Sequence, residues 1–528
     1  MAIPGPTSRP TAHTVSPLRP DPRWTTALWV VAALVALPLL SPGWLPFTDL
    51  GEHAAAMGTF AHFGDPSYAS SEYYRVAWTS SQYLLTHLLG GMIAKVLGVE
   101  VTVKIILVGL AIAWVASSRM LLRAFGGDPR LAIPGALLFW NRALGLGFLP
   151  YLASLPLLFA TLAWFARTRA PRRRLVTLGL ALAGLAVFYT HASAFTLLAG
   201  TVSAVALTRF RTVRLLVRDV AWLVPAIIAA ATWLARGHFA MHEGARATAD
   251  IGTMSPLRAL KVIPIWASDI WPSHVDDAIG VSFWAVFLIL LLGQRRVEWR
   301  SFAPFAVALA VYLATPFRVG AGVLLNVRMG PVLALLALLV LRPARGLRGS
   351  LPIVACTVLA LVQCIDNIQQ VRRLQADIRG VPELLAKIPR RAKLLSLHFS
   401  GFDADVSHTP PWIYVGSYHR ANEGGIASFS FSELPHWSLH YRPETAPPDQ
   451  GELAWAMRPC LFRNHRDGPY FDWVLVRGER NPFAGDPPGP HWVIAGHTEK
   501  FVLWQKDGTK NPDGPDDGPC KAESVSLR

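Results

Sequence analysis

The sequence contains few charged residues. Asp, Glu, Lys and Arg account for 16% of the 528 residues, whereas hydrophobic residues account for 52%. Soluble globular proteins have about 25% charged residues, so this composition does not fit an ordinary soluble protein and indicates a protein that lies mostly in a membrane. Acidic residues are the scarcer kind, with 34 Asp and Glu against 50 Lys and Arg, and the formal net charge is +16.

The excess of basic residues does not indicate a nucleic-acid-binding protein. The arginines occur in short clusters between apolar runs, as at 172–174, and no nucleic-acid-binding motif accompanies them. Such clusters set the orientation of membrane proteins, because Lys and Arg are retained on the cytoplasmic side. We therefore expect a membrane-lipid partner and no nucleic acid.

Cysteine is also scarce, with four residues in the chain. Cys356 and Cys364 lie in an apolar run and are expected to be packing residues. Cys460 and Cys520 lie in the polar C-terminal part, where they either pair on an oxidising face of the membrane or remain two free thiols.

No cleavable signal peptide is evident. Residues 1–23 are rich in proline and arginine, and we expect them to be disordered and cytoplasmic. The apolar run 24–40 is long enough to cross a membrane, and its basic N-terminal flank predicts that it runs outward.

The following apolar runs predict a polytopic α-helical membrane protein with about eleven spans. With this count, every dense arginine cluster falls on the cytoplasmic side. The transmembrane domain is predicted at 24–366, with long outer loops at 41–98 and 236–277. The stretch 80–98 is interpreted as a helix in the membrane interface, because counting it as a span would reverse the later arginine clusters. The ten further spans are predicted at 101–121, 131–140, 148–165, 175–189, 194–208, 220–234, 278–293, 302–315, 329–341 and 351–365.

A polar C-terminal part begins after residue 366. Residues 367–506 predict a mixed α/β domain outside the cytoplasmic membrane, while the N-terminus is inside, and the tail 507–528 is expected to be disordered. The dominance of Arg over Lys is typical of a GC-rich bacterial source, in which the outer face is periplasmic. Short β-forming runs between turn residues predict strands at 393–399, 473–476, 492–495 and 501–504.

The stretch Phe47–His53 places two carboxylates and an imidazole just beyond the first span. Asp49, Glu52 and His53 share one face if a helix begins here. Carboxylates and imidazoles transfer protons, and a carboxylate at the end of a span is costly to desolvate, which favours a functional role. The alternative is that Asp49 only caps the helix, since Asp-x-x-Glu is typical of a helix start.

A first span, an acidic motif at its outer end and a long outer loop with a surface helix resemble the GT-C class of integral-membrane glycosyltransferases. This class includes the aminoarabinose and protein O-mannosyl transferases. The run 78–98, which closes on Lys95-Val96-Leu97-Gly98, is similar to the segment before their second span, and the polar C-terminal domain also fits. Many members have two adjacent acids, whereas here Glu52 and His53 occupy the second position.

The resemblance implies a polyprenyl-phosphate sugar as donor and a glycan, lipid or protein as acceptor. A phosphate leaves readily, so one base suffices, and Asp49 is the candidate that takes the proton of the acceptor hydroxyl. Glu52 or His53 would orient Asp49 or bind the sugar. A single displacement implies inversion. No cofactor is assigned, and dependence on a divalent metal stays open.

A lipid phosphate needs cationic partners, and arginine suits phosphate best. For each candidate arginine, the alternative is anchoring in the membrane interface. For His191, in the turn after residue 189, the alternative is a helix cap. The candidate substrate-binding residues are Arg75, Arg142, His191, Arg318 and Arg328.

The second outer loop is expected to be solvated, because loop residues are polar by default. The alternatives are that an aromatic beside carboxylates holds a sugar or that His with Asp holds a divalent metal, but neither pattern has diagnostic spacing. The residues in these patterns are Asp269, Trp271, His274, Asp276 and Asp277. Near its start, His238, His242 and Glu243 lack the second histidine of an HExxH helix, and we assign no metal to them.

Two other classes of function stand beside the enzyme. Transporters and flippases keep ionisable groups near the membrane midplane, whereas no Asp or Glu falls inside a predicted span. A non-catalytic scaffold, whose C-terminal domain binds a partner, is the remaining alternative. The acids at the ends of the spans favour chemistry at the membrane surface.

Overall fold

The computed structural model describes most of the chain between Pro22 and Asp507. The predicted disordered segments 1–23 and 507–528 lie outside the described residues, except for Pro22 and Arg23, which belong to the first helix, and Asp507, whose N–H donates to the His491 carbonyl. Cys520 and the side chains of His238, His242 and Glu243 also lie outside them. The described ranges are 22–79, 81–169, 172–244, 251–294, 299–319, 322–343, 346–400, 407–428, 430–434, 436–448, 455, 458–483 and 489–507.

Helices make up most of the chain before residue 377. They are α1 Pro22–Ala36, α2 Leu50–Ala61, α3 Ser70–Tyr73, α4 Leu84–Leu97, α5 Val99–Ala124, α6 Ala132–Leu137, α7 Arg142–Gly145, α8 Leu149–Arg167, α9 Arg174–Thr190, α10 Ala192–Thr208, α11 Val213–Val220, α12 Val224–Gly244, α13 Pro256–Ser268, α14 His274–Leu292, α15 Trp299–Ala314, α16 Gly330–Ala337 and α17 Leu347–Ala376. Three short helices follow: α18 Val381–Leu385, α19 Ser417–Glu423 and α20 Asn464–Asp467.

Six helical segments of the described chain are long and apolar enough to cross a membrane. These are Pro22–Leu40, Val99–Ala124, Leu149–Arg167, Val213–Arg236, His274–Leu292 and Leu347–Ala376. Five shorter apolar helices accompany them: Leu84–Leu97, Arg174–Thr190, Ala192–Thr208, Ser301–Ala314 and Val327–Val340. The chain is therefore a multi-pass helical protein, while the count of eleven spans and their orientation stay predictions.

Two predicted spans differ from continuous helices. The run 131–140 contains only α6, with six residues, and the run 329–341 contains α16, with eight residues, between 3-10 turns. Nearly all of their side chains are buried. A buried core helix and a membrane span have the same apolar composition, so hydrophobicity alone cannot separate them.

Helix α4 confirms the helix expected within 80–98. It packs against α2 through two glycines: a Cβ at Gly90 would lie 2.5 Å from Met57 Sδ, and one at Gly91 would lie 2.5 Å from Phe60 Cβ. The opposite side of α4 is apolar and exposed, with Met92 at 63% exposure. The helix α2, which begins with the acidic motif, is thereby held close to this outer helix.

The C-terminal part contains a five-stranded mixed sheet. Its strands, in their order across the sheet, are β6 (Ile426–Ser428), β5 (Lys393–His398), β8 (Trp473–Arg477), β10 (Phe501–Lys506) and β9 (Trp492–His497). Strand β5 is parallel to β6 and β8, and β10 is antiparallel to β8 and β9. Each of the four predicted strands is present. The strands are β1 Tyr74–Val76, β2 Ile251–Gly252, β3 Arg318–Val319, β4 Gly322–Val323, β5 Lys393–His398, β6 Ile426–Ser428, β7 Leu439–Tyr441, β8 Trp473–Arg477, β9 Trp492–His497 and β10 Phe501–Lys506.

The C-terminal part packs directly on the first outer loop. Helix α19 lies against α2, where a Cβ at Gly58 would come within 2.0 Å of the Ala421 carbonyl oxygen. Strands β1 and β7 form an antiparallel pair between the two regions, and Trp44 stacks on Tyr418 with ring centroids 4.1 Å apart. Helix α17 runs without a break through residue 366, where the composition changes.

Candidate active site

Asp49 is fixed by the loop that precedes α8. Its main-chain N–H donates to the Leu146 carbonyl (2.9 Å), and that of Thr48 donates to the Gly145 carbonyl (3.1 Å). Gly147 has φ +73°, and a Cβ there would lie 2.8 Å from the main-chain nitrogens of Asp49 and Leu50. Only glycine fits this close approach, so the loop and the start of α2 form one unit.

The Asp49 carboxylate does not cap α2. Asp49 occupies the N-cap position, but its side chain accepts no hydrogen bond from the helix amides or from any other described residue. The side chain is half-buried. This burial raises the pKa of Asp49 to about 8, while Arg328 lowers it and Glu52 raises it further. The carboxyl group therefore titrates near neutral pH, where a general base is most effective.

Glu52 is a fully buried anchor for the C-terminal part. Ser417 Oγ donates to Glu52 Oε1 (2.5 Å), and Ser430 Oγ and the Phe431 N–H donate to Oε2 (2.8 and 2.9 Å). The guanidinium of Arg420, which is also fully buried, lies 3.7 Å from Oε2. Because both carboxylate oxygens accept hydrogen bonds from Ser417, Ser430 and Phe431, Glu52 holds these residues of the C-terminal part in place beside α2.

His53 begins a chain of hydrogen bonds that reaches the C-terminal part. Its Nδ1 and the Nε2 of His87 form a hydrogen bond of 2.9 Å, and His87 Nδ1 forms one of 2.6 Å with Ser438 Oγ. The Trp437 ring packs on both imidazoles, at 5.0 and 4.7 Å between centroids. Burial lowers the pKa of His53 to about 3, so this imidazole is neutral at physiological pH.

Arg328 faces Asp49 across the site. It is only 7% exposed, and its Nε and Nη2 donate to the carbonyls of Leu324 (3.0 Å) and Val323 (2.7 Å). The guanidinium lies over the Phe148 ring at 4.4 Å. It interacts electrostatically with Asp49, but no direct ion pair joins these two described side chains. Neither side chain is therefore committed to a direct ion pair with the other.

His191 lies in the same group and also caps a helix. Its Nδ1 accepts a hydrogen bond from the Ser193 N–H (3.2 Å) at the start of α10. Its ring is 5.4 Å from Tyr83 and 5.1 Å from Tyr151. Burial and the positive charge of Arg328 lower the pKa of His191 well below its usual range. His191 is therefore a helix cap, as one interpretation expected. Its ring also lies beside Tyr83 and Tyr151, and substrate binding by His191 stays a prediction.

Arg142 lies at the edge of the loop that holds Asp49. Its Nη2 donates to Asp269 Oδ2 (2.8 Å), and His408 Nε2 forms a hydrogen bond with Asp269 Oδ1 (2.7 Å). Burial lowers the pKa of Arg142, although Asp269 opposes this effect. In this structure, Arg142 links the loop to the second outer loop and to the C-terminal part.

The remaining two predicted arginines lie on strands. Arg75 is exposed on β1, opposite His440 of β7. Arg318 is half-buried on β3, which pairs with β2 and β4. The structure thus brings Asp49, His53, His191 and Arg328 into one group, and places Arg75 and Arg318 on two small sheets.

The expectation of a solvated second outer loop is wrong for its central residues. Trp271 and Asp276 are each 1% exposed. Asp276 Oδ2 accepts the main-chain N–H groups of Ile270 (2.5 Å) and Trp271 (2.8 Å), and Trp271 Nε1 donates to Asn367 Oδ1 (2.7 Å). Because the Trp271 ring is buried and the main-chain amides of Ile270 and Trp271 are hydrogen-bonded to Asp276, these central residues belong to the protein core.

The described residues contain no group of three His, Cys, Asp or Glu side chains close enough to hold a metal ion. In the polar C-terminal part, Cys460 is disulfide-bonded, whereas Cys356 and Cys364 are buried free thiols, as expected for packing residues.

The sequence matches no protein-family model and no curated protein. Two glycosyltransferases of known structure are similar to this chain. For the arabinofuranosyltransferase AftD from Mycobacteria, the TM-score is 0.49 at 16% identity, and the match covers 95% of this chain and 40% of that chain. For the oligosaccharyltransferase AglB from Archaeoglobus fulgidus, in complex with an inhibitory peptide and a dolichol-phosphate, the TM-score is 0.43 at 12% identity, covering 86% and 69%. This chain thus spans 40% of the length of the arabinofuranosyltransferase.

Sequence reasoning missed several residues of this group. Tyr83 interacts electrostatically with Arg328, and its ring lies 5.4 Å from His436 and 5.5 Å from Trp437. Tyr83 comes from the loop before α4, and the other two come from the C-terminal part. The pairing of β1 with β7 brings them together, and three-residue strands give little periodic signal in a sequence.

Proposed function

We propose that the chain is a membrane glycosyltransferase that moves a sugar from a polyprenyl-phosphate donor to a glycan, lipid or protein acceptor. The reaction takes place at the outer, periplasmic face of the cytoplasmic membrane, with the N-terminus inside and the C-terminal part outside. One observation carries the proposal: the Asp49 carboxyl group is half-buried, free of hydrogen bonds from the described residues, and opposite Arg328.

The reaction is a single displacement at the anomeric carbon. The acceptor hydroxyl transfers its proton to the Asp49 carboxylate, and the acceptor oxygen forms a bond to the anomeric carbon. The bond from that carbon to the phosphate oxygen breaks, and its electron pair leaves with the phosphate. Arg328 stabilises the charge on the leaving phosphate. Because attack occurs opposite the leaving group, the configuration is inverted.

The other candidates have supporting roles in this proposal. Glu52 is a positioning residue, since its oxygens are occupied by the C-terminal part. His53 and His191 are neutral and hydrogen-bond to sugar hydroxyls, a role that a neutral imidazole can fill as donor or acceptor. Arg142, Arg75 and Arg318, which lie outside the group around Asp49, attract the anionic donor through their charge.

The experiment is sugar transfer by the purified chain in liposomes supplied with radiolabelled polyprenyl-phosphate sugars. Transfer of label to an acceptor supports the enzyme, and EDTA in a parallel sample tests the dependence on a divalent metal. Movement of intact labelled lipid between leaflets, without a new glycosidic bond, would contradict the proposal and support a flippase. A folded chain that neither transfers nor moves any donor would support a scaffold.

A further inference from the structure

Tyr151 has a hydroxyl group that no described residue satisfies. It lies in the first turn of α8, its side chain is 0% exposed, and its Oη has no hydrogen-bond partner. Buried polar groups are nearly always hydrogen-bonded, because leaving one unpaired costs the whole of its desolvation. The unpaired hydroxyl therefore calls for an explanation beyond packing.

The surroundings of Tyr151 are polar and converge on Arg328. Tyr151 is one helical turn after Phe148, whose ring lies under the Arg328 guanidinium. The phenol of Tyr151 interacts electrostatically with the same guanidinium. The His191 ring contacts Tyr151 at 5.1 Å and Tyr83 at 5.4 Å. Tyr83 in turn interacts electrostatically with Arg328. These four side chains form one cluster, which we call the Arg328 ring: Arg328, Tyr83, His191 and Tyr151.

The Arg328 ring has the donors that an anion needs. A guanidinium is a donor only, and a phenol beside it donates best to an oxygen that the guanidinium also contacts. The His191 Nδ1, the nearest ring acceptor, is already used by the Ser193 N–H, and the Tyr151 hydroxyl reaches no other acceptor of the described residues. An anionic oxygen bound to Arg328 would satisfy the Tyr151 hydroxyl with a charge-assisted hydrogen bond.

We propose that Tyr151 is a substrate-binding residue whose hydroxyl donates to the phosphate that Arg328 holds. The inference rests on the proposed function for the nature of the donor and deepens it by naming a second phosphate ligand. The ligand class is a phosphate attached to an isoprenoid chain, since Tyr151 lies at the end of the apolar helix Leu149–Arg167, where a lipid head group meets the protein.

The test measures binding without turnover, so that it does not depend on transfer. Wild type, Tyr151→Phe and Arg328→Gln are titrated with farnesyl phosphate, with farnesol and with inorganic phosphate, and the melting temperature of each variant is recorded. The matched control is Tyr312→Phe, because Tyr312 is equally buried but its hydroxyl already donates to the Ala259 carbonyl at 2.6 Å.

The expected results separate binding from structure. Tyr151→Phe should bind farnesyl phosphate about tenfold or more weakly, as for loss of a hydrogen bond to a charged group, without a lower melting temperature. Tyr312→Phe should melt at a lower temperature and bind as wild type. Farnesol should bind weakly to every variant, and inorganic phosphate should bind less well than farnesyl phosphate. If inorganic phosphate binds more tightly than farnesyl phosphate, the ligand of Tyr151 and Arg328 is a soluble anion, and the assignment of a lipid phosphate is wrong.

Two outcomes distinguish this inference from the proposed function. If no donor is transferred but Tyr151→Phe still weakens farnesyl phosphate binding, the inference stands and the transferase fails. If transfer occurs and Tyr151→Phe leaves both the affinity and the donor KM unchanged, the transferase stands and the inference is wrong.

Discussion

At the scale of single residues, the proposed mechanism makes the protonation of Asp49 the variable that controls the rate of sugar transfer. Burial raises the pKa of this carboxyl group to about 8, and only the ionised form can accept a proton. If Asp49 is the base, part of the protein is protonated and inactive at neutral pH, so the rate and the stability should both report the titration of one group.

The first prediction concerns the pH dependence of the rate. We expect kcat/KM to rise about tenfold per pH unit below pH 8 and to level off above it, because kcat/KM follows the ionised fraction of the free enzyme's base. The measurement is kcat/KM from pH 5.5 to pH 9, with the melting temperature recorded at each pH as a control. A rate that is constant from pH 5.5 upward would show that the base has an ordinary carboxyl pKa.

The second prediction concerns the stability of Asp49→Asn. The pKa of Asp49 is higher in the folded chain than its model value of 3.8, so between about pH 4 and pH 8 the folded state holds a proton that the unfolded state has lost. The wild type therefore loses stability as pH rises through this window, whereas Asn does not titrate. Asp49→Asn should melt like wild type at pH 4 and at a higher temperature at pH 8. A lower melting temperature at pH 8 would contradict the desolvation of Asp49.

At the scale of elements, the start of α2 and the loop before α8 act together. The sequence analysis places Asp49, Glu52 and His53 on one face if a helix begins there, and the helix α2 is present. The support of Asp49 by the turn at Gly147 could not be predicted from the sequence. The two residues are 98 positions apart, and the close approach of two backbones leaves no periodic pattern in a sequence.

The third prediction tests this contact. Gly147→Ala would place a Cβ 2.8 Å from two main-chain nitrogens at a φ of +73°, which an L residue rarely adopts. We expect a lower melting temperature and a loss of transfer together. The control is Gly109→Ala, where a Cβ would meet nothing within 4 Å and where alanine favours the helix. Equal stability of both variants would exclude the proposed support of Asp49 by this turn.

The fourth prediction concerns the attachment of the C-terminal part through Glu52. Removal of one member of a buried charged cluster typically costs about 3–5 kcal/mol, so Glu52→Ala should strongly destabilise the chain and expose the segment around Ser430 to proteases. Glu72→Ala is the control, since Glu72 pairs with Arg391 at 2.8 Å on an exposed surface, where an ion pair contributes about 0–1 kcal/mol. Similar proteolysis of the two variants would show that Glu52 does not hold the C-terminal part.

At the scale of the whole molecule, sequence patterns predicted which segments are helices and strands better than they predicted how these elements pack together. Hydrophobic runs located the long helices, and β-forming runs located β5, β8, β9 and β10. The runs containing α6 and α16 were predicted as spans and contain short, buried helices, and hydrophobicity alone does not separate a buried core helix from a membrane span. The arrangement of the site depended on contacts between distant segments.

Those distant contacts explain why only part of the site was predictable. Asp49 and His53 were recognisable because they are adjacent in sequence, and Arg328 because it begins an apolar run. Tyr83 and His436 were not, since their rings meet at 5.4 Å only after the C-terminal part has packed on the outer loop. The C-terminal part is thus a wall of the site, which composition alone could not indicate.

The most direct test of the central claim compares sugar transfer by wild type, Asp49→Asn and Asp65→Asn in the same liposomes. Asp65 is exposed and caps a 3-10 turn through its hydrogen bond from the Ser67 N–H, so it matches the chemical change without touching the site. We predict that Asp65→Asn transfers sugar at the wild-type rate and that Asp49→Asn is slower by about 10²–10⁴-fold, the usual contribution of a general base. Transfer by folded Asp49→Asn at the wild-type rate would contradict the assignment of Asp49 as the base.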